Sequence, residues 1–238
     1  MTDEKTVIIT GASGGIGSGL VEAFLKQGYK IIATAQNATQ SLIPSPGLVP
    51  VYGDIGKYDT AAKVVEAAVK NFGSIDVLVT AAGINRVKPF TEFTREDFDA
   101  LVSVNLLGFI YITQLTVQQM LKQKSGSVVS ITASLADNPI AGVNASVSMI
   151  TKGGLNSVIQ SLAIEYAKEG LRFNAVAPGI VDTPLQKSLT KDYLRIRQPM
   201  GSVAAVEDIV DAVFYLVNAE QVTGEILHVD GGAHAGKW

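Results

Sequence analysis

Gly11, Gly14, Gly15 and Gly17 crowd together directly after the apolar run Val7-Ile8-Ile9 and directly before the helical pattern Leu20-Val21-Glu22-Ala23-Phe24-Leu25. A strand, a glycine turn and a helix in that order form a cradle for phosphate. Glycines let the backbone approach a pyrophosphate, and the N–H groups opening the helix near Gly15 offer free donors and the positive end of a dipole. Gly11, Ser13, Gly15, Ile16 and Gly17 are therefore candidate contacts of a dinucleotide, against the plainer reading of a structural turn. Other chemistries have less support. The chain has no cysteine, so neither disulfides nor thiolate catalysis are available. Its two histidines, His228 and His234, are read as separated and partnerless, which argues against a metal site.

These residues need a frame to hold them. Short β-branched runs at 6–10, 30–34, 48–52, 75–80, 127–132, 171–177 and 225–229 alternate with helical periodicity at 15–27, 58–72, 94–122, 146–169 and 205–218. That alternation predicts an α/β fold, a parallel sheet wound on both sides. The stretch from Gln36 to Leu48 carries Pro44 and Pro46, so a turn or one short helix is expected there in place of a full crossover. No linker or repeat divides the 238 residues, and 47% hydrophobic with 17% charged content suits one large core, a single domain over 1–238. Acidic and basic residues are interspersed to a net charge of −3, which leaves no footprint for nucleic acid or an anionic membrane. No apolar run is read as reaching transmembrane length, the first residues lack a signal-peptide layout, and the absence of cysteine fits a cytoplasmic setting. A small-molecule substrate is the expected partner.

Several segments, in this order and spacing, resemble the short-chain dehydrogenase/reductase family over nearly the whole chain. They are Thr10 to Gly17, Gly53-Asp54-Ile55, Thr80-Ala81-Ala82-Gly83, Ser103-Val104-Asn105, Gly126-Ser127-Val128-Val129, Pro178-Gly179-Ile180-Val181-Asp182-Thr183 and Val229-Asp230-Gly231-Gly232. The resemblance implies a Rossmann-type sheet of seven strands, a nicotinamide coenzyme, and hydride transfer at a carbonyl or alcohol carbon. It also implies roles. Asp54 and the Ile55 amide would meet the adenine, although Asp54 can instead cap the following helix. Ala81, Ala82 and Gly83 would lie against the ribose. Ile180 would hold the carboxamide and Thr183 the carboxamide or a phosphate, with Pro178-Gly179 before them, itself also readable as a strand-ending turn.

The second strand ends in Ala33-Thr34-Ala35-Gln36-Asn37-Ala38-Thr39, with neither the acid that selects NAD(H) nor the base that selects NADP(H). Ser13, Gln36, Asn37 and Thr39 offer neutral donors and no opposing carboxylate, which favours NADP(H) and leaves NAD(H) open. The catalytic corner departs from the family pattern of a tyrosine, a lysine four residues later and a serine some thirteen before. Lys152 matches the lysine and Asn105 the relay asparagine; the tyrosine position is Ser148, and the serine position is Ala133, with Ser134 next to it. An aliphatic hydroxyl titrates well above the phenol value of about 10 and is on the order of 7 kcal/mol harder to ionise. Four readings follow: carbonyl reduction with water or Lys152 as proton source, aided by Ser134 or Thr132; reduction of an imine or pteridine that needs no strong acid; a phenol from Tyr111 or Tyr193; or a nucleotide-binding oligomer without chemistry.

Substrate preference is written less plainly. Arg195 and Arg197, with Lys187 and Lys191, either attract an anionic substrate or form a solvated helical face. The segments 94–122 and 146–169 carry apolar residues over arcs too wide for one covered face. With the resemblance, this predicts a homodimer or homotetramer, with Trp238 as a possible anchor in the tail.

Overall fold

In the computed structural model, residues 4–38, 42–184 and 196–237 are described. Thr39, the 185–195 segment with Lys187, Lys191, Tyr193 and Arg195, and Trp238 lie outside them. Seven parallel strands form one sheet in the order β3-β2-β1-β4-β5-β6-β7. They are β1 (Thr6–Thr10), β2 (Lys30–Ala35), β3 (Leu48–Tyr52), β4 (Val77–Thr80), β5 (Gly126–Ile131), β6 (Leu171–Pro178) and β7 (Ile226–Val229). The helices are α1 (Gly15–Lys26), α2 (Tyr58–Phe72), α3 (Arg95–Leu101), α4 (Gly108–Gln123), α5 (Ser146–Tyr166) and α6 (Val206–Asn218). This is the single-domain, doubly wound α/β fold that the alternation predicts.

Strand periodicity decides which helix covers which side. Val7 and Ile9 point into a core shared with Leu20 and Phe24 of α1 and Ile209 and Val213 of α6. Ile8, one residue out of phase, points into the opposite core, with Val64 of α2, Ile112 of α4 and Ile159 of α5. All ten are fully buried, each contributing about 1.5–3 kcal/mol relative to exposure. The register sets Ile8 between Ile32 and Leu78. The chain leaves β1 towards β2 on one side and later enters β4 on the other. The carboxyl ends of β1 and β4 therefore border the crevice where ligands of such sheets bind.

Three differences from the sequence reading have physical causes. The predicted helix 94–122 is not uniform: α3 and α4 are joined by a π-helical turn, Val102–Leu107, with Asn105 buried at its centre. The combined stretch Arg95–Gln123 is, by length and composition, apolar enough to cross a membrane, contrary to expectation. In this fold Leu101, Phe109, Ile112 and Met120 are buried within the protein. The fourth strand starts at Val77 and not at 75, because Ile75 turns its amide to the Gln123 side chain. Between β2 and β3 the described residues form no helix; Ser45 and Leu48 close a tight turn through paired backbone hydrogen bonds.

Candidate active site

The glycine turn is shaped by approach distances. Gly11 has a φ of +66°, and a Cβ there would lie 2.7 Å from the Ala82 backbone, so a side chain at this position is excluded twice. Thr10 Oγ1 accepts a hydrogen bond from the Ala82 amide at 3.1 Å, binding the end of β1 to the end of β4. Gly17 sits where a Cβ would come within 2.1 Å of the Gly11 carbonyl oxygen. Helix α1 therefore packs tightly on the turn. It opens at Gly14 with no side-chain cap and no acidic residue in its first turn, so its leading amides and its dipole are left to an outside anion.

A cleft of about 620 Å³ runs along this carboxyl edge, within the size range of small-molecule and cofactor sites. It joins Ser13 and the glycine turn to Ala81 and Gly83, then to Ser134 and Lys152, and closes against the segment from Pro178 to Thr183. Thr183 reaches over the helix start, its Cβ only 2.8 Å from where a Gly15 side chain would begin. Uncapped amides, a cradle with no room for a Cβ, and small residues at the end of β4 together fit a dinucleotide.

On the cleft floor, Lys152 Nζ donates to the Ile131 carbonyl at 2.8 Å and lies beside Gly83, 3.1 Å from where a Cβ would stand. Burial of the ammonium lowers it to about 8. Asn105 stands behind this floor. Its amide nitrogen donates to Ile84 O and Thr151 Oγ1, and its oxygen accepts from Ile84 N–H. The π-helical turn that carries Asn105 thus serves to fix the loop after β4, in line with the use of such widened turns near functional sites. Thr151 in turn donates to the Ser148 carbonyl at 2.7 Å.

Ser148 is not in the cleft lining. It is 1% exposed, and its hydroxyl both donates to Arg86 O at 3.0 Å and accepts from Arg86 N–H at 2.9 Å. The sequence reading of Ser148 as a reacting group is corrected here to a clamp on the loop after β4. The same loop is held from its far side by Asp97, which receives Arg86 at 3.2 Å and also Lys88. Hydrogen bonds from the Lys88 side chain and the Thr94 amide hold the Asp97 carboxyl at about 2.

Other expected contacts are distributed as follows. Ala133 and Ser134 both line the cleft, Ser134 as the first residue of a 3-10 turn. Gln36, exposed just beyond β2, and Asp54, Ile55 and Ala82 do not line it. Asp54 does not cap α2, whose cap position is Lys57; its side chain accepts from the Gly56 amide at 2.9 Å. Tyr111 packs edge-on against Tyr58 and away from the cleft lining, because it belongs to the α2–α4 contact. His228 and His234, read as separate, in fact stack at 4.1 Å, His228 facing Asp137 and His234 facing Asp230. Sequence reasoning placed Thr10 in the glycine motif without giving it a role, and missed Asn85, Ile140 and Met149. Only Thr10 carried a signal, as the strand residue that opens the glycine turn.

Comparison with known proteins places this geometry among relatives. The family described as enoyl-(acyl carrier protein) reductase matches residues 11–234. The 3-oxoacyl-[acyl-carrier-protein] reductase FabG of Thermotoga maritima is 34% identical, over 96% of this chain and 97% of its own. A 3-ketoacyl-(acyl-carrier-protein) reductase from Brucella melitensis, solved complexed with NADH, superposes with a TM-score of 0.91 at 28% identity, covering 98% of this chain and 100% of that one. ElxO, solved with NADP bound, superposes at 0.90 with 26% identity and the same coverage.

Proposed function

The chain belongs to the short-chain dehydrogenase/reductase family, and from that premise we propose that it is an oxidoreductase reducing a carbonyl compound with NADPH, with Lys152 as the proton source. The observation that carries this reading is the lysine itself, a buried ammonium lowered to about 8 on the floor of a cleft that begins at an uncapped helix start. The relatives solved with NADH and with NADP support a nicotinamide coenzyme here. The residues to hold it are the glycine turn with Ser13, Ala81 and Gly83, Lys152, and the segment from Pro178 to Thr183. When bound, the coenzyme supplies hydride to the carbonyl carbon.

The chain's own task is then to put a proton on the carbonyl oxygen. Family members use a tyrosine for this; Ser148 stands at that place, with its hydroxyl committed to Arg86. No tyrosine is among the described cleft-lining residues. Lys152 uses one N–H on Ile131 O and has two more. An ammonium near 8 is mostly charged at neutral pH and far more acidic than an alcohol, so transfer to a developing alkoxide runs downhill. The neutral amine left behind is recharged by solvent through the open side of the cleft. Ser134, which lines the same cleft, is assigned a hydrogen bond to the same oxygen.

The preference for NADPH rests on the end of β2, where Gln36 is exposed and no carboxylate stands to repel a 2′-phosphate. Assembly as a homodimer or homotetramer is proposed from apolar residues that the fold leaves open, Ile150 at 61% and Ile164 at 82% exposure on α5 and Ile110 at 44% on α4. The test is a fluorescence titration with NADPH and NADH, followed by NADPH consumption on ketones, diketones and cyclic imines. Binding with ketone turnover supports the reading. Turnover of imines alone moves the function to C=N reduction, which needs no acid. Binding without any turnover makes the protein a nucleotide-binding oligomer.

A further inference from the structure

Two charged side chains are among the described residues that line the cleft, Lys152 and Arg197, and both are cationic; none of the described lining residues is an aspartate or glutamate. The whole chain carries a net charge of −3, so this balance is local to the cleft. Lys152 is occupied at the reacting end. Arg197 stands elsewhere, its Nη2 4.0 Å from where a Cβ on Gly142 would lie. Its guanidinium is thus beside the turn that leads into α5, away from the glycine turn that receives phosphate. The adjoining Gln198 is 3% exposed and donates to the Ile180 carbonyl at 2.9 Å, which fixes the backbone that carries Arg197. Leu135, Ile140 and Met149 supply an apolar wall to the same cleft.

From this arrangement we infer that the substrate is an oxo acid, whose carboxylate is bound by Arg197 while its carbonyl lies near Lys152. The inference rests on the reductase reading of the same cleft. A guanidinium presents five donors in a planar fork matched to the two oxygens of a carboxylate, so it accepts such a ligand beside its other bonds. The apolar wall weakens solvent screening and strengthens a charge-assisted pair. Selection follows from charge: an ester of the same acid fills the same space and offers the fork no anion.

The test uses the full chain saturated with NADPH and three pairs of probes: 3-oxobutanoate, 4-oxopentanoate and 5-oxohexanoate, each against its methyl ester. The expected result is a higher kcat/KM for at least one acid than for its ester, expressed in KM. Arg197→Gln is expected to lower that acid-to-ester ratio at least about tenfold, the scale of a lost charge-assisted pair; Arg197→Lys, which keeps the charge but not the fork, is expected to retain a larger part of it. Equal use of acid and ester by the native chain overturns the inference, as does a ratio that Arg197→Gln leaves in place. A fall in NADPH affinity by the same factor as the acid's kcat/KM also overturns it, because Arg197 then serves the coenzyme. If no probe of either kind is reduced, the reductase reading fails on its own. The carboxylate site is then judged by thermal stabilisation: acids must raise the melting temperature more than esters in the native chain, and lose that advantage in Arg197→Gln.

Discussion

Lys152 is held at a cost that can be measured without any substrate. Burial takes its ammonium from 10.5 to about 8. At about 1.4 kcal/mol for each pH unit, the charged form is destabilised by on the order of 3 kcal/mol in the folded chain. The unfolded chain binds the extra proton between about pH 8 and 10.5, so stability rises with pH across that window. The penalty is full below about 8 and gone above 10.5. Lys152→Met keeps the length of the side chain and abolishes the titration, and it also removes the 2.8 Å bond to Ile131 O, worth about 0.5–1.5 kcal/mol for the neutral amine against which the penalty is counted. At pH 7 the relieved penalty outweighs the lost bond, and the variant is expected to be more stable than the native chain by about 2 kcal/mol. At pH 10 the folded lysine is neutral and the penalty has shrunk to about 1 kcal/mol, so the two proteins are expected to be about equally stable. The assay is urea unfolding of both proteins at pH 7 and pH 10, at one protein concentration because assembly would shift apparent stability. All other titrations are shared and cancel in the difference. A variant-minus-native difference that moves by less than about 0.5 kcal/mol between the two pH values would refute the buried-ammonium argument.

Four further outcomes are expected. Reduction by NADPH should fall as pH rises through about 8, because only the charged lysine carries the proton; a flat kcat/KM profile from pH 6 to 10 would remove Lys152 from the proton transfer. Gly17→Ala places a methyl group 2.1 Å from the Gly11 carbonyl oxygen and should push α1 off the turn. That costs about 1–3 kcal/mol in urea unfolding and most of the NADPH affinity in a fluorescence titration. Ser148→Ala releases both bonds to the Arg86 backbone and should lower stability by about 1–3 kcal/mol. Ser148→Tyr, which introduces a phenol at this position, breaks the same clamp and should fail to raise ketone turnover; a several-fold gain would show that the loop yields to a phenol.

Adjacent residues were legible where their constraint was local. The order strand, glycines and helix identifies the phosphate cradle because a positive φ at Gly11 and the close approach at Gly17 act within one turn of chain. The two-residue and helical periods gave the element order, since each element must bury one face whatever lies opposite. The break between α3 and α4 escaped this reasoning. A π-helical turn inserts a residue without disturbing the apolar pattern on either side, and what holds it here is Asn105 gripping Ile84 and Thr151.

Residue type and position along the chain determined that a lysine, an asparagine and small residues would gather beside a nucleotide cradle, and that a serine, Ser148, stands four residues before that lysine. Only the tertiary structure decided what that serine does instead. Its partner is Arg86, 62 residues away, and the partner of Lys152 is the carbonyl of Ile131, 21 residues away. Hydrogen bonds at such separations depend on how strands and helices stack, and a short hydroxyl goes to whichever backbone group that stacking leaves within about 3 Å.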